Sequence, residues 1–190
     1  MRKKKKKILH HEVIIKFLQR EGFKDGDFVG CEVGVFTSRT SVNLLEAFPK
    51  LFLYMVDPWD SNNTEGSLKV HRTKRFMDTI CEEAYQKTKF ARSRREIMRM
   101  VSVAASRVVD DESLDFVFVD AGHFYKQTKS DLEAWWPKVK SGGFLIGHDY
   151  NGRMEKNGIW GVKKAADEFA KKNGVEIELH EALIFTTKKP

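Results

Sequence analysis

Short apolar runs alternate with amphipathic stretches along most of the chain, and this alternation is typical of an α/β fold with a parallel sheet. The apolar runs predict five strands, over residues 27–33, 51–56, 97–103, 114–119 and 144–147. The amphipathic stretches predict helices over 9–21, between Ser38 and Pro49, and over 68–92, 104–109, 125–139 and 161–172. Two final strands, 175–179 and 182–187, predict a hairpin around His180-Glu181.

The order of these elements predicts a Rossmann-like, doubly wound sheet of seven mostly parallel strands with a C-terminal antiparallel β-hairpin. Helices should cover both faces of the sheet, because right-handed crossovers place them there. We interpret residues 9–190 as one folded domain and residues 1–8 as a basic, disordered tail. In such a sheet a ligand binds outside the carboxyl ends of the strands, where the strand order reverses.

The net charge of +7 is concentrated at the start of the chain. Six of these charges belong to residues 2–7, so the rest of the 190-residue chain is nearly neutral. A solvated terminus is one interpretation of such a run, and an arm that binds phosphate groups is the other. A hydrophobic content of 41% and an aromatic content of 12% predict a globular body and exclude a disordered protein.

Two cysteines, Cys31 and Cys81, stand in no metal-binding or redox spacing, which predicts a reducing, cytoplasmic compartment. No apolar stretch reaches the length of a membrane span, and the N-terminus lacks the apolar segment of a signal peptide. The sequence is compatible with a homo-oligomer and does not define the oligomeric state.

The loop after the first strand is the first candidate for ligand binding. Glu32, Gly34 and Ser38 form the pattern E-x-G-x-x-x-S, and Thr37 or Ser38 is placed to cap the next helix. Gly34 permits a tight turn, although a glycine after a strand is also common in turns without function. A dinucleotide fold would require more glycines, and Glu32 would repel a pyrophosphate. The pattern therefore favours a cationic ligand that carries an ammonium and a sulfonium.

Asp57 ends the second strand, where a carboxylate can accept hydrogen bonds from two ribose hydroxyls. Its distance of 25 residues from Glu32 supports this interpretation, and a turn former before Pro58 is the alternative. Trp59 is placed either to stack near an adenine or to pack in the core.

Further along the chain, acids and histidines follow the fourth and fifth strands. Asp120 ends the fourth strand and His123 follows it, whereas His148 and Asp149 follow the fifth. Neighbouring parallel strands lie about 4.8 Å apart, so Asp120 and Asp149 can share one cation, for which carboxylate oxygens suggest Mg²⁺. Asp120 bound only to a ligand amine, His123 as a helix cap and Asp149 as a turn former remain the alternatives.

These segments resemble the class I S-adenosylmethionine-dependent methyltransferases, most of all the group of macrolide-sugar and cephalosporin-type O-methyltransferases. The resemblance covers about residues 28–187, and it is carried by Glu32-Val33-Gly34, Asp57-Pro58-Trp59, D-x-x-H from Asp120 to His123, Trp135-Trp136-Pro137, and G-G-x-x-x-G-H-D-Y from Gly142 to Tyr150. The family usually has glycine where Ser38 stands, and Trp135 and Trp136 are expected to serve packing.

The resemblance implies roles for individual residues. It makes Glu32, Gly34, Thr37, Ser38, Asp57, Trp59, Ser102 and Asp120 candidates for binding S-adenosylmethionine. It makes Asp120 and Asp149 candidate metal ligands, with His148 where relatives carry a second acid, and it makes His123, with Asp120, the catalytic candidate. His123 or a metal would then remove a proton from the acceptor.

The expected reaction is O-methylation of a hydroxyl on a small molecule or glycan, with loops 60–70 and 149–160 as the walls of the acceptor site. A nucleic-acid methyltransferase guided by the basic tail is one alternative, but the sequence lacks the Asn/Asp-Pro-Pro-aromatic motif of base N-methylators. A binding module without turnover is a second alternative. A nucleotide-dependent oxidoreductase is the third, and the missing glycine fingerprint counts against it.

Overall fold

The computed structural model describes residues 8–24, 26–60, 73–151 and 161–190. Its strands are β1 (Phe28–Val33), β2 (Leu51–Val56), β3 (Arg95–Met98), β4 (Leu114–Val119), β5 (Val139–Gly147), β6 (Glu178–Leu179) and β7 (Phe185–Lys188). Its α-helices are α1 (His10–Arg20), α2 (Arg39–Ala47), α3 (Lys74–Lys87), α4 (Ser102–Ser106), α5 (Tyr125–Trp135) and α6 (Val162–Asn173). Short 3₁₀ turns cover Lys89–Arg94, Trp136–Lys138 and Glu181–Leu183.

The strands form one sheet in the order β3-β2-β1-β4-β5-β7-β6. All pairs from β3 to β5 are parallel, and β7 pairs antiparallel with both β5 and β6. The predicted seven-stranded, mostly parallel sheet with its C-terminal hairpin is therefore confirmed. Because β1 lies between β2 and β4, the strand order reverses there, and the crevice at the carboxyl ends of these strands is the expected place for a ligand.

Side chains of the central strands alternate between two apolar layers. On one face, Phe116 and Phe118 pack with residues of α1, α2 and α3. On the other face, Val117 and Val119 pack with residues of α4, α5 and α6. Burial on both faces explains why β4 is apolar at nearly every position, as a central parallel strand requires. The two layers cover the two faces of the sheet.

The two adjacent tryptophans take the packing role that the sequence suggested. Trp135 is fully buried in the second layer. Trp136 is partly buried, and its ring meets Phe169 edge-on with centroids 5.2 Å apart. Pro137 lies in the 3₁₀ turn, and this turn ends α5 four residues before the predicted boundary.

Other boundaries also differ from the predicted ones. The predicted third strand, 97–103, is wrong at both ends, because β3 begins at Arg95 and the chain turns after Met98, where the Met100 N–H donates to the Met98 carbonyl. Val101 and Val103 are exposed, so apolar character alone extended the predicted strand too far. The strand β5 begins at Val139, earlier than predicted, and it includes Gly142 and Gly143. Its register with β4 shifts between Leu114 and Phe116, and this irregularity accommodates the two glycines within the strand.

Several predicted segments lie wholly or partly outside the described residues. These are the basic tail up to residue 7, the start of the long third helix, and most of the two proposed acceptor walls. Within the described part of that helix, Thr73 caps α3 by accepting a hydrogen bond from the Phe76 N–H. Among the helices of the described chain, none combines the length and the apolar character that a membrane crossing needs.

Candidate active site

Four strands end at the same level at the carboxyl edge of the sheet. Val33 at the end of β1 is level with Val56 of β2 and Val119 of β4, and Val119 is level with Gly147 of β5. The residue after each strand end, Gly34, Asp57, Asp120 and His148, therefore enters the same crevice. This register brings the predicted cofactor residues and the predicted catalytic residues to one edge.

The loop after β1 is tightly packed against the loop after β4. The Gly34 N–H donates to the Val56 carbonyl, and the Asp120 N–H donates to the Val33 carbonyl, both over 2.8 Å. Gly34 has φ +98°, and a Cβ built on it would lie 2.2 Å from the Asp120 carbonyl oxygen. Glycine is therefore required at this position both for its backbone conformation and for space.

Gly34→Ala is expected to lower the free energy of unfolding by about 3 kcal/mol or more, because it combines left-handed strain with a backbone clash. Gly142→Ala is the matched control, since Gly142 has φ +79° but nothing within 4 Å of the added Cβ. That control should lose only about 1–2 kcal/mol from backbone strain. Urea unfolding measures both values, and equal losses would contradict the assigned close contact.

Ser38 occupies the position of the predicted cap but makes a different contact. It precedes α2 with φ +60°, and its hydroxyl donates to the Thr37 carbonyl, so no side-chain capping bond forms. The predicted capping bond is therefore wrong for Ser38, and Thr37 lies exposed beside it. The left-handed backbone explains physically why glycine suits this position and why serine is a departure.

Glu32 is a buried carboxyl group at the end of β1, 2% exposed. The Ser41 hydroxyl donates to it, and Thr40 also hydrogen-bonds to its side chain. Burial is the main cause that raises its pKa to about 8, and the negative charges of Asp120 and Asp57 add to that effect. A carboxyl group held in this way is stabilised as an anion when a cationic group comes near.

The raised pKa of Glu32 predicts how stability depends on pH. Between the ordinary pKa of about 4.5 and the folded value of about 8, the folded protein holds a proton that the unfolded chain releases. Wild type should therefore lose stability relative to Glu32→Gln as the pH rises through this window, by at most about 1.4 kcal/mol per pH unit. Urea unfolding at several pH values measures this difference, and exposed Glu46→Gln should run parallel to wild type. Parallel curves for Glu32→Gln would contradict the assigned pKa.

Asp57 joins the first loop to the second. Its two carboxylate oxygens accept hydrogen bonds from the backbone N–H groups of Phe36, over 2.9 Å, and Trp59, over 2.7 Å. The Trp59 indole N–H donates to the Phe36 carbonyl over 3.0 Å. Trp59 is fully buried in the first apolar layer, so it packs in the core, and its role toward an adenine stays a prediction. Phe36 and Trp59 both have positive φ, which places strained backbone on either side of this carboxylate.

Asp120, His123, His148 and Asp149 form one hydrogen-bonded group at the ends of β4 and β5. His123 Nε2 lies 2.6 Å from Asp149 Oδ2. His148 Nδ1 lies 3.2 Å from Asp120 Oδ1 and 3.1 Å from Asp149 Oδ2. Asp149 has φ +62°, and a non-glycine residue held in this region is often part of a functional site.

The charges in this group follow from its contacts. Burial disfavours the imidazolium of His148, but its hydrogen bonds to Asp120 and Asp149 outweigh that effect and raise its pKa to about 10. Burial alone would raise the pKa of Asp149, but hydrogen bonds from His123 and His148 hold it well below its usual range. At neutral pH a positive His148 thus lies between two carboxylates.

His10 is a site residue that the sequence analysis missed. Its ligand nitrogen, an Asp120 oxygen and a His148 nitrogen lie within 4.8 Å of one another. Its Nε2 lies 2.8 Å from the Thr40 hydroxyl, and its ring centroid is 5.1 Å from that of His148. Burial lowers the pKa of His10, which favours the neutral imidazole. The pair His10-His11 at the start of a predicted helix was the available signal, but only the packing of α1 shows where His10 lies.

Ser102 does not end the third strand as predicted, because it is the first residue of α4. Its Oγ accepts a hydrogen bond from the Trp135 indole N–H over 2.9 Å, and it also hydrogen-bonds to Asp131. Burial raises the pKa of Asp131 to about 6. These contacts place the Ser102 side chain in a polar cluster between α4 and α5, and its role toward an adenine stays a prediction.

The doubly wound sheet, its C-terminal hairpin and the acids near the carboxyl ends of β1, β2 and β4 define a class I methyltransferase. A family model described as "Methyltransferase domain" matches residues 31–150, and these residues include all four strand ends of the crevice. The chain belongs to this family of S-adenosylmethionine-dependent methyltransferases.

Comparison with individual proteins agrees with this class. A structure from Staphylococcus aureus, assigned as a caffeoyl-CoA O-methyltransferase, has a TM-score of 0.68 and 15% identity, covering 97% of this chain and 85% of that one. Precorrin-6y C5,15-methyltransferase from Geobacter metallireducens has a TM-score of 0.60 and 16% identity, covering 98% and 93%. At these identities the likeness establishes the fold alone.

One protein of Sinorhizobium fredii, the uncharacterized protein y4gI, is 28% identical over 107 residues. The aligned stretch is 56% of this chain and 11% of that protein. The chain thus corresponds to a small part of this relative.

Proposed function

We propose that this methyltransferase transfers a methyl group from S-adenosylmethionine to a hydroxyl oxygen of a small molecule or glycan. The observation that carries the proposal is the pair formed by His123 and Asp149, with Nε2 and Oδ2 2.6 Å apart at the edge where the cofactor residues converge. A hydroxyl must lose a proton as it is methylated, and a histidine oriented by a carboxylate is suited to take that proton. An acceptor group that is methylated without losing a proton would have no use for the pair of His123 and Asp149.

Three carboxyl groups fit a cationic cofactor at this edge. S-adenosylmethionine supplies a methyl group on a positively charged sulfonium, together with an ammonium and a ribose. Asp57, held by two backbone N–H groups, would accept hydrogen bonds from the ribose hydroxyls, and Asp120 would accept them from the ammonium. Glu32 is buried at the end of β1 with its pKa raised to about 8, mainly by burial, and a cation bound nearby would favour its ionised form. Thr37, Gly34 and Ser38 shape the loop that contacts the cofactor.

His123 takes the proton from the acceptor. Asp149, which is held ionised, accepts the hydrogen bond from His123 Nε2, and this bond orients the ring for proton transfer. The His123 side chain is 32% exposed, so an acceptor can approach it from solvent. Holding the acceptor oxygen in line with the methyl group contributes on the order of 7 kcal/mol to lowering the barrier.

A divalent metal is a separate part of the proposal. Among the predicted metal ligands, His148 contacts both Asp120 and Asp149, and the two carboxylates suit Mg²⁺. His148 fits Mg²⁺ less well, because imidazole is a softer ligand and its imidazolium already balances both carboxylates. The proton transfer proposed for His123 therefore does not depend on a metal.

Calorimetric titration of S-adenosylmethionine and S-adenosylhomocysteine, each with Mg²⁺ and with a chelator, tests the cofactor first. A library of phenols, sugars and glycosylated metabolites is then screened for release of S-adenosylhomocysteine, with RNA and DNA oligonucleotides in parallel. Binding of both compounds and turnover on a hydroxyl acceptor are expected. Turnover on oligonucleotides that is lost when residues 1–7 are deleted would overturn the proposal in favour of nucleic acid. Binding without turnover on any acceptor would favour a binding module.

A further inference from the structure

We propose that His10, Asp120 and His148 form a metal site that prefers a late first-row divalent ion, such as Zn²⁺ or Co²⁺, to Mg²⁺. The inference rests on the proposed function for the role of the metal, which would hold the acceptor hydroxyl beside the methyl donor. It differs from the expected carboxylate site in its ligands, in its metal and in the use of α1.

The geometry of this set suits a single ion. The three ligand atoms come from α1, from the loop after β4 and from the loop after β5, and they lie within 4.8 Å of one another. Three ligands around one zinc or cobalt ion, each about 2.0–2.2 Å from the metal, are necessarily this close to one another. Asp120 also belongs to a second set with His123 and Asp149, so the two sets share one carboxylate.

The ligand types determine which metals the set favours. A metal ion would displace the proton of His148 into solvent, as metal binding to histidine requires. The resulting two imidazoles and one carboxylate suit Zn²⁺, Co²⁺ or Fe²⁺, whereas Mg²⁺ requires oxygen ligands and keeps most of its water. The second set, with Asp120 and Asp149, contains more oxygen and is closer to what Mg²⁺ accepts. Metal preference therefore distinguishes which of the two sets holds the ion.

Thr40 supports His10 as a ligand. Its hydroxyl lies 2.8 Å from His10 Nε2, and a hydrogen bond of this kind fixes the orientation of a metal-binding ring. The same Thr40 side chain hydrogen-bonds to Glu32 at the end of β1. His10 is thus held by a residue that also contacts the proposed cofactor site.

The test measures metal binding directly on the full chain. Protein stripped with a chelator is titrated with Zn²⁺, Co²⁺, Mn²⁺ and Mg²⁺ by calorimetry, and Co²⁺ binding is followed by visible absorption. Zn²⁺ and Co²⁺ should bind at least about tenfold more tightly than Mg²⁺. His10→Gln should weaken them at least about tenfold and change the Co²⁺ spectrum, whereas Thr40→Val should have a smaller effect.

His180→Gln is the matched control. His180 Nε2 lies 2.9 Å from the Thr186 hydroxyl, as His10 does from Thr40, but His180 belongs to neither ligand set. Its substitution should leave metal affinity unchanged, and circular dichroism confirms that each variant is folded. Equal affinity for Mg²⁺ and Zn²⁺, no effect of His10→Gln, or no metal binding would each overturn the inference. If the wild-type protein did not bind S-adenosylhomocysteine, the proposed function itself would be overturned.

Discussion

Asp57→Ala is expected to weaken binding of S-adenosylmethionine by at least about a hundredfold. The carboxylate would lose two charge-assisted hydrogen bonds to the ribose, which together contribute about 3 kcal/mol. It would also lose its bonds to the Phe36 and Trp59 N–H groups, so the loops after β1 and β2 would separate. Calorimetry with S-adenosylhomocysteine measures the affinity, and urea unfolding measures the accompanying loss of stability.

Asp115→Asn separates the two effects. Asp115 also accepts a hydrogen bond from a backbone N–H, that of Val29 over 2.7 Å, and it forms an ion pair with Lys140. It lies near the opposite end of β4, far from the crevice. This variant should lose stability and keep its cofactor affinity. If Asp57→Ala bound the cofactor as wild type does, the assigned ribose contact would be wrong.

His123→Ala is expected to lower kcat by about 10²–10⁴-fold on an acceptor hydroxyl, because the base that takes the proton is removed. Cofactor affinity should change little, since the proposed contacts to the cofactor come from Asp57, Glu32 and Asp120. Asp149→Asn should lower kcat less, because it leaves His123 in place but without the carboxylate that orients the ring. Initial rates at saturating cofactor measure both effects.

Added imidazole distinguishes a base at His123 from a purely structural role, because free imidazole can replace the base but not a structural contact. If His123 acts as a base, free imidazole should restore part of the activity of His123→Ala in a concentration-dependent way. His180→Ala should retain wild-type rates, because His180 lies outside the crevice. Full activity of His123→Ala without imidazole would contradict the assignment of this base.

The fold could be predicted because the strands and helices follow from the local pattern of apolar and polar residues. The apolar runs of β1, β2 and β4 are bounded by turn residues, and a chain that repeats strand and helix has few other ways to pack. The edge residues could be predicted for the same reason, since a residue that follows a parallel strand must lie at the carboxyl edge. The sequence thus predicts Asp120 and Asp149 close to each other, and Asp57 at the end of the second strand on the same edge.

The remaining features depend on contacts that sequence spacing does not encode. His10 is more than a hundred residues from Asp120 and meets it only through the packing of α1. The sequence around Trp59 is compatible with a stacking residue or a core residue, and its burial in the core depends on contacts far along the chain. The sequence places Ser102 at the end of the third strand because Val101 and Val103 resemble strand residues. Both valines are exposed, and the strand has already ended at Met98.

The two ends of the sheet should differ in local stability. At the carboxyl edge, Phe36, Ser38, Trp59 and Asp149 all hold positive φ without being glycine, so the backbone there is costly to maintain. Amide hydrogens of these loops should therefore exchange with deuterium faster than those of the strands from which they emerge. A bound cofactor should slow that exchange most at this edge, so the amides that become protected would identify the residues around the ligand.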